Sequence, residues 1–145
     1  MIENVEPKAN LFVIGELVLE SPTRDSGGKE GDMLIVLGEP IWGNQSERFE
    51  KAKKLFDCWF EILGSGAGIN ASKDVTKGGL IATVMEIAEK SGLDYELDRE
   101  IPFHLSRNLD NFLISVDEKN AEKILKICSD HGLSAIIVGG LKKMI

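Results

Sequence analysis

Residues 69–92 read INASKDVTKGGLIATVMEIAEKSG, and the fold turns on how this stretch divides. A short apolar run (Gly68-Ile69-Asn70-Ala71) ends in a polar knot, Ser72-Lys73-Asp74-Val75-Thr76-Lys77-Gly78-Gly79. From Gly79 the apolar positions Ile81, Val84, Met85 and Ala88 recur at helical spacing, which predicts a helix over 79–91 with those four inward. Ser91-Gly92 closes it, glycine being the residue that leaves a helix most easily in a left-handed conformation. The knot is therefore the turn that feeds a helix N-terminus, where unpaired N–H groups and the helix dipole favour an anion.

The chain on either side predicts more elements. Residues 11–19 (LFVIGELVL) and 33–38 (MLIVLG) read as strands, separated by a polar loop from Ser21 to Gly31. Ser46 stands where a cap would start a helix over 47–63, with Phe49, Ala52, Phe56, Trp59, Phe60 and Leu63 as its core stripe. Asp94–Leu97 is a short strand. Phe112–Val116, a helix capped by Asp117 that buries Ala121, Ile124, Leu125 and Cys128, and Ala135–Val138 form a β-α-β unit with parallel strands. The expectation is an α/β (α+β) fold over residues 1–145, one layered domain in which a mixed β-sheet is covered by about three helices.

The totals narrow the function. With 17 basic and 24 acidic residues the net charge is -7, which argues against nucleic acid and against an anionic membrane surface. The first 15 residues lack a basic start and a long apolar core, and no run approaches the roughly 20 apolar residues of a spanning helix, so a cytoplasmic protein is expected. Cys58 and Cys128 form no Cys-x-x-Cys pair, and both read as buried reduced thiols.

The knot carries the chemistry. Gly78-Gly79 presents no side chain to an approaching anion, so helix-terminal N–H groups can reach phosphate oxygens. Lys77 and Lys73 add positive charge, and Thr76 can cap the helix or donate to an oxygen. Asp74 would repel a phosphate unless Mg²⁺ lay between them, as magnesium commonly bridges a carboxylate and substrate phosphates. The residues alone leave two readings open, a phosphate or metal–nucleotide site and an ordinary capped strand-to-helix turn. Neither a Walker loop nor a Gly-x-Gly-x-x-Gly fingerprint is present. His131 reads as a helix C-terminal cap, His104 as a loop residue, and Asp25–Lys29 as a solvated turn.

Residues 74–102, DVTKGGL…EIAEKSGLDYELDREIP, resemble the C-terminal domain of the aminoimidazole ribonucleotide synthetase-related superfamily. That superfamily includes aminoimidazole ribonucleotide synthetase, hydrogenase maturation protein E, selenophosphate synthetase and thiamine-monophosphate kinase. Asp74, Thr76, Gly78 and Gly79 match its Asp-x-Thr-x-Gly-Gly pattern, and Glu86-Ile87-Ala88-Glu89 with Ser91-Gly92 match the helix that follows. Gly31–Gly38 resembles the strand opening the domain, and residues 111–141 its closing β-α-β unit.

The resemblance implies the C-terminal half or subunit of an ATP-dependent phosphoryl-transfer enzyme. Asp74, Thr76, Lys77, Gly78 and Gly79 would bind the phosphates of ATP, with Asp74 a Mg²⁺ ligand. The N-terminal half, which carries most of the ATP and magnesium groups in full-length members, is not recognisable here. A separate N-terminal-half protein or a homodimer is thus an expected partner, and whether the chain is an active enzyme by itself stays open. The alternative is a non-catalytic module that binds a phosphorylated ligand or a partner protein.

Overall fold

The computed structural model describes residues 9–17, 19–98, 100, 101 and 106–145; His104 lies outside them. The central strand is β1, Met33–Leu37. Its near-continuous apolar run has a simple cause: Ile35 and Leu37 point into one core, Leu34 and Val36 into another, and all four are fully buried. A strand with helices over both faces has no solvent side, so alternation disappears from its sequence.

Along the chain follow α1 (Gln45–Gly64), β2 (Ile69–Asp74), α2 (Gly79–Ser91), β3 (Asp94–Leu97), β4 (Phe112–Val116), α3 (Glu118–Asp130) and β5 (Ala135–Lys142). The sheet order is β2-β4-β1-β5-β3. Helices α1 and α3 cover one face, where Leu55, Cys58, Ile62, Ala121, Ile124 and Cys128 join Ile35 and Leu37. Helix α2 covers the other with Leu80, Val84, Ile87 and Ala88. Each fully buried Leu or Ile side chain contributes roughly 1.5–3 kcal/mol relative to exposure. No helix among the described residues is long and apolar enough to cross a membrane.

The layered α/β arrangement with three helices is the expected one, but several details differ. All four ladders are antiparallel. Strands β4 and β5 do run in the same direction, yet β1 lies between them and pairs with both. Residues 11–17 form no strand; Leu11, Phe12, Val13 and Ile14 are each at least 85% exposed. No partner strand within the described chain takes up their backbone groups, so apolar composition alone does not make a strand there.

Helix α1 starts earlier than Ser46. Asn44 is its cap, accepting from the Glu47 N–H while the Glu47 carboxylate accepts from the Asn44 N–H, a complete capping box. Its buried face is Leu55, Cys58 and Ile62, not the aromatic stripe. Phe49, Phe56 and Phe60 are 65%, 47% and 63% exposed. Phe56 and Trp59 lean edge-on against Phe112, with ring centroids 5.7 and 5.3 Å away. Helix α2 is rotated in the same sense from expectation: Leu80, Thr83, Val84, Ile87 and Ala88 are buried, whereas Ile81 and Met85 are exposed. In α3, Ile127 replaces Leu125 in the fully packed set, and Asp117 makes no side-chain capping bond.

One buried polar cluster pins the sheet. Asp32, 2% exposed, accepts from the Ser115 hydroxyl on β4, the Asn70 amide on β2 at 2.9 Å and the Lys29 N–H at 2.9 Å. The carboxylate thereby ties the entry to β1 to two other strands. The Asp25–Lys29 turn is also fastened: Gly28 N–H donates to Ser91 Oγ (3.0 Å), and Asp25 pairs with Lys90 (2.6 Å). It is not a freely solvated loop.

Candidate functional site

Strand β2 ends at Asp74, opposite Phe112 of β4, and α2 begins five residues later. The connection is short because Val75 is fully buried and held on both backbone sides. Its N–H donates to the Asn111 carbonyl (2.8 Å), and its carbonyl accepts from Leu109 (3.2 Å) and Asp110 (2.9 Å). That clamp leaves Asp74, Thr76, Lys77 and Gly78 exposed on the outside of the turn.

The helix start is bare. Gly78 is the N-cap and carries no side-chain cap, and there is no acid in the first turn of α2. Thr76 does not cap the helix through its hydroxyl, contrary to one expectation; its carbonyl accepts from the Gly79 N–H at 2.8 Å. Gly79 has φ +75°, a left-handed conformation that favours glycine. At Gly78 an added Cβ would lie 2.6 Å from the Ala82 Cβ. The glycine pair is thus required by local geometry, and it also leaves the positive end of the helix dipole open to an anion.

The structure brings the five predicted residues, Asp74, Thr76, Lys77, Gly78 and Gly79, into this one turn. Lys73 is turned away, pairing with Glu86 of α2 at 3.4 Å. Among the described residues no three His, Cys, Asp or Glu side chains are grouped closely enough to hold a metal ion. Asp74 is an exposed carboxylate outside any such group, a fit for one ligand of a shell otherwise made of phosphate oxygens and water.

Of the neighbouring loops at the same end of the sheet, the sequence reading missed Arg48, Asp110 and Asn111. Asp110 has φ +54° and meets Arg48 of α1 at 3.5 Å. Asn111, fully buried, donates to the Gly38 carbonyl (2.8 Å), while its Oδ1 has no partner among the described residues. Trp42 donates from Nε1 to the Asn108 carbonyl (2.8 Å), and the Arg107 guanidinium lies 4.1 Å over its ring. The sequence signal was the polar run Asn108-Leu109-Asp110-Asn111 before an apolar strand, which reads as any turn would. His131 ends α3 as expected, its N–H donating to the Ile127 carbonyl, and its ring also meets Glu61.

The model of the family described as AIR synthase related protein, C-terminal domain, matches residues 43–143. The chain belongs to this family. Similarity reaches further toward the N-terminus in one relative, an uncharacterised protein of Methanocaldococcus jannaschii, 35% identical over 95% of this chain and 47% of that protein. A selenide, water dikinase of Caldanaerobacter subterraneus is 34% identical over 68% of this chain and 33% of its own length. The AIR synthase-related chain thus spans less than half of either relative.

Solved structures share the fold. Thermotoga maritima PurL, in a complex with ADP, superposes with a TM-score of 0.68 at 17% identity, covering 84% of this chain and 23% of PurL. The hydrogenase maturation protein HypE superposes at 0.65 and 18% identity, covering 90% of this chain and half (50%) of HypE. PurL has also been solved with ATP, and HypE in a complex with HypF.

Proposed function

We propose that the turn from Asp74 to Gly79 is a phosphate and Mg-nucleotide corner. On this reading the chain serves as the C-terminal half or subunit of an ATP-dependent phosphoryl-transfer enzyme of the AIR synthase-related superfamily. The observation that carries the reading is the uncapped start of α2: glycines at its cap and first position stand beside an exposed carboxylate. Gly78 fills the cap at a cost of only a few tenths of a kcal/mol relative to Ser, Thr or Asp, and it leaves no side chain over the helix start.

In this corner the first-turn N–H groups of α2 would receive a phosphate oxygen, and Lys77 would add a point charge from the turn. Asp74 would hold Mg²⁺, which when bound neutralises phosphate charge and orients the transferring group. Phosphoryl transfer needs positioning and charge neutralisation above all, and those are what amides and a carboxylate supply. The superfamily relatives solved with ADP and ATP support the nucleotide as ligand.

One acid does not make a magnesium shell, so the rest of the site would come from another polypeptide segment, a separate N-terminal-half protein or a second copy. The exposed apolar residues Phe49, Phe56 and Phe60 on α1, and separately Leu11–Ile14, support association, since exposed apolar patches usually mark an interface. The alternative of a non-catalytic module for a phosphorylated ligand predicts binding that ignores magnesium.

The test is amide chemical-shift mapping of the 145-residue chain during titration with Mg-ATP. The reading predicts the largest shifts at Leu80 and Ile81, since the Gly79 N–H is already taken by the Thr76 carbonyl. Shifts confined to any other surface would overturn it.

A further inference from the structure

Cys58 of α1 and Cys128 of α3 stand apart from the nucleotide corner, on the sheet face opposite α2. They are 70 residues apart in sequence, yet their Sγ atoms lie 3.7 Å from each other, and both side chains are fully buried. Both are free thiols. We propose that this pair is an oxidation site, closed to a Cys58–Cys128 disulfide by a diazene oxidant, and that the bond clips α1 to α3.

The geometry needs little change. A disulfide spans about 2.05 Å between sulfurs, so the two sulfurs have to close by roughly 1.7 Å between helices already in contact. The surrounding core is apolar, with Ile62, Ala121 and Ile124 in the same cluster, so no ion pair or hydrogen-bonded network has to break. The two thiols are within hydrogen-bond distance of each other.

Burial sets the rate rather than the outcome. It pushes the Cys58 thiol up and the Cys128 thiol up to about 12, so thiolate is scarce at neutral pH. The site therefore acts as a slow staple that closes on prolonged exposure or transient opening, not as a fast sensor. With diamide, one thiolate adds across the N=N bond, and that nitrogen pair takes up a proton. The second thiolate attacks the bound sulfur, forming the S–S bond and releasing the substituted hydrazine. Two thiols lose two electrons and two protons, and the diazene gains both.

The experiment treats the reduced full chain with excess diamide at pH 8, followed by non-reducing peptide mapping and thermal melting. The expected result is a monomeric product lacking two hydrogens, with the Cys58 peptide linked to the Cys128 peptide. Closing so long a loop should raise the melting temperature by roughly 5–15 °C, and dithiothreitol should reverse the rise. Cys58→Ala and Cys128→Ala should each abolish the linkage; the wild-type map decides should either variant fold poorly. Two thiols still free after incubation a few degrees below the melting temperature would overturn the proposal. So would exclusively intermolecular links, or an oxidised chain that melts lower. None of these results bears on nucleotide binding.

Discussion

Two glycine substitutions with opposite expected signs test the geometry of the candidate site. Gly79 opens α2 with φ +75°, where an L-residue brings its Cβ against the following carbonyl at a cost of about 1–2 kcal/mol. Gly64 closes α1 within the helix, its φ is not left-handed, and no atom lies within 4 Å of where a Cβ would stand. Alanine there removes backbone freedom from the unfolded chain and should stabilise by about 0.4–1 kcal/mol. Gly79→Ala is thus expected to lower the melting temperature by about 3–10 °C and Gly64→Ala to raise it by a few degrees. Urea denaturation read by circular dichroism gives both free energies from midpoint shifts at constant m. A neutral or stabilising Gly79→Ala would mean that the turn does not need a left-handed residue at this position.

Further tests reach the rest of the molecule. Asp32→Ala leaves the Ser115, Asn70 and Lys29 donors unpaired around a buried gap and should cost about 3–5 kcal/mol in the same urea assay. Ile62→Ala should cost about 2–5 kcal/mol and Phe60→Ser about 1 kcal/mol or less, a contrast that reports which face of α1 is buried. Lys90, hydrogen-bonded to Asp25 and Glu86, holds both carboxyls below their ordinary values of 3.8 and 4.5. Carboxyls depressed on folding stabilise above their unfolded values and lose that contribution as acid protonates them in the folded state. Lys90→Ala should therefore lower stability slightly at pH 7 and weaken the stability loss below about pH 4.5, measured as melting temperature against pH.

The elements themselves were largely legible. Helix α2 runs from Gly79 to Ser91 with left-handed Gly92 at its end, as the periodicity and the glycine stop indicated. Rotation about the helix axis was not legible, and the reason is physical. In α1 the residues Leu55, Cys58 and Ile62 recur at the same helical period as Phe49, Phe56 and Phe60, so two apolar stripes share one helix. Periodicity cannot rank them, and weighting by aromatic bulk selects the wrong one. The same ambiguity shifted α2 by one stripe.

Strand pairing lay outside local pattern altogether. That β1 would slot between β4 and β5 depends on contacts across the whole chain, which no window of residues contains. The five residues of the candidate site were legible as a cluster because the turn gathers consecutive positions. Arg48, Asp110 and Asn111 come from distant segments and share that end of the sheet only after folding.

The most direct measurement of the central claim is calorimetric titration of the chain with ATP, with and without Mg²⁺, using Asp74→Ala as the control. The expected result is magnesium-dependent binding that weakens by about tenfold or more on removal of the carboxylate. Binding of equal strength with and without magnesium, and in wild type and Asp74→Ala alike, would contradict it.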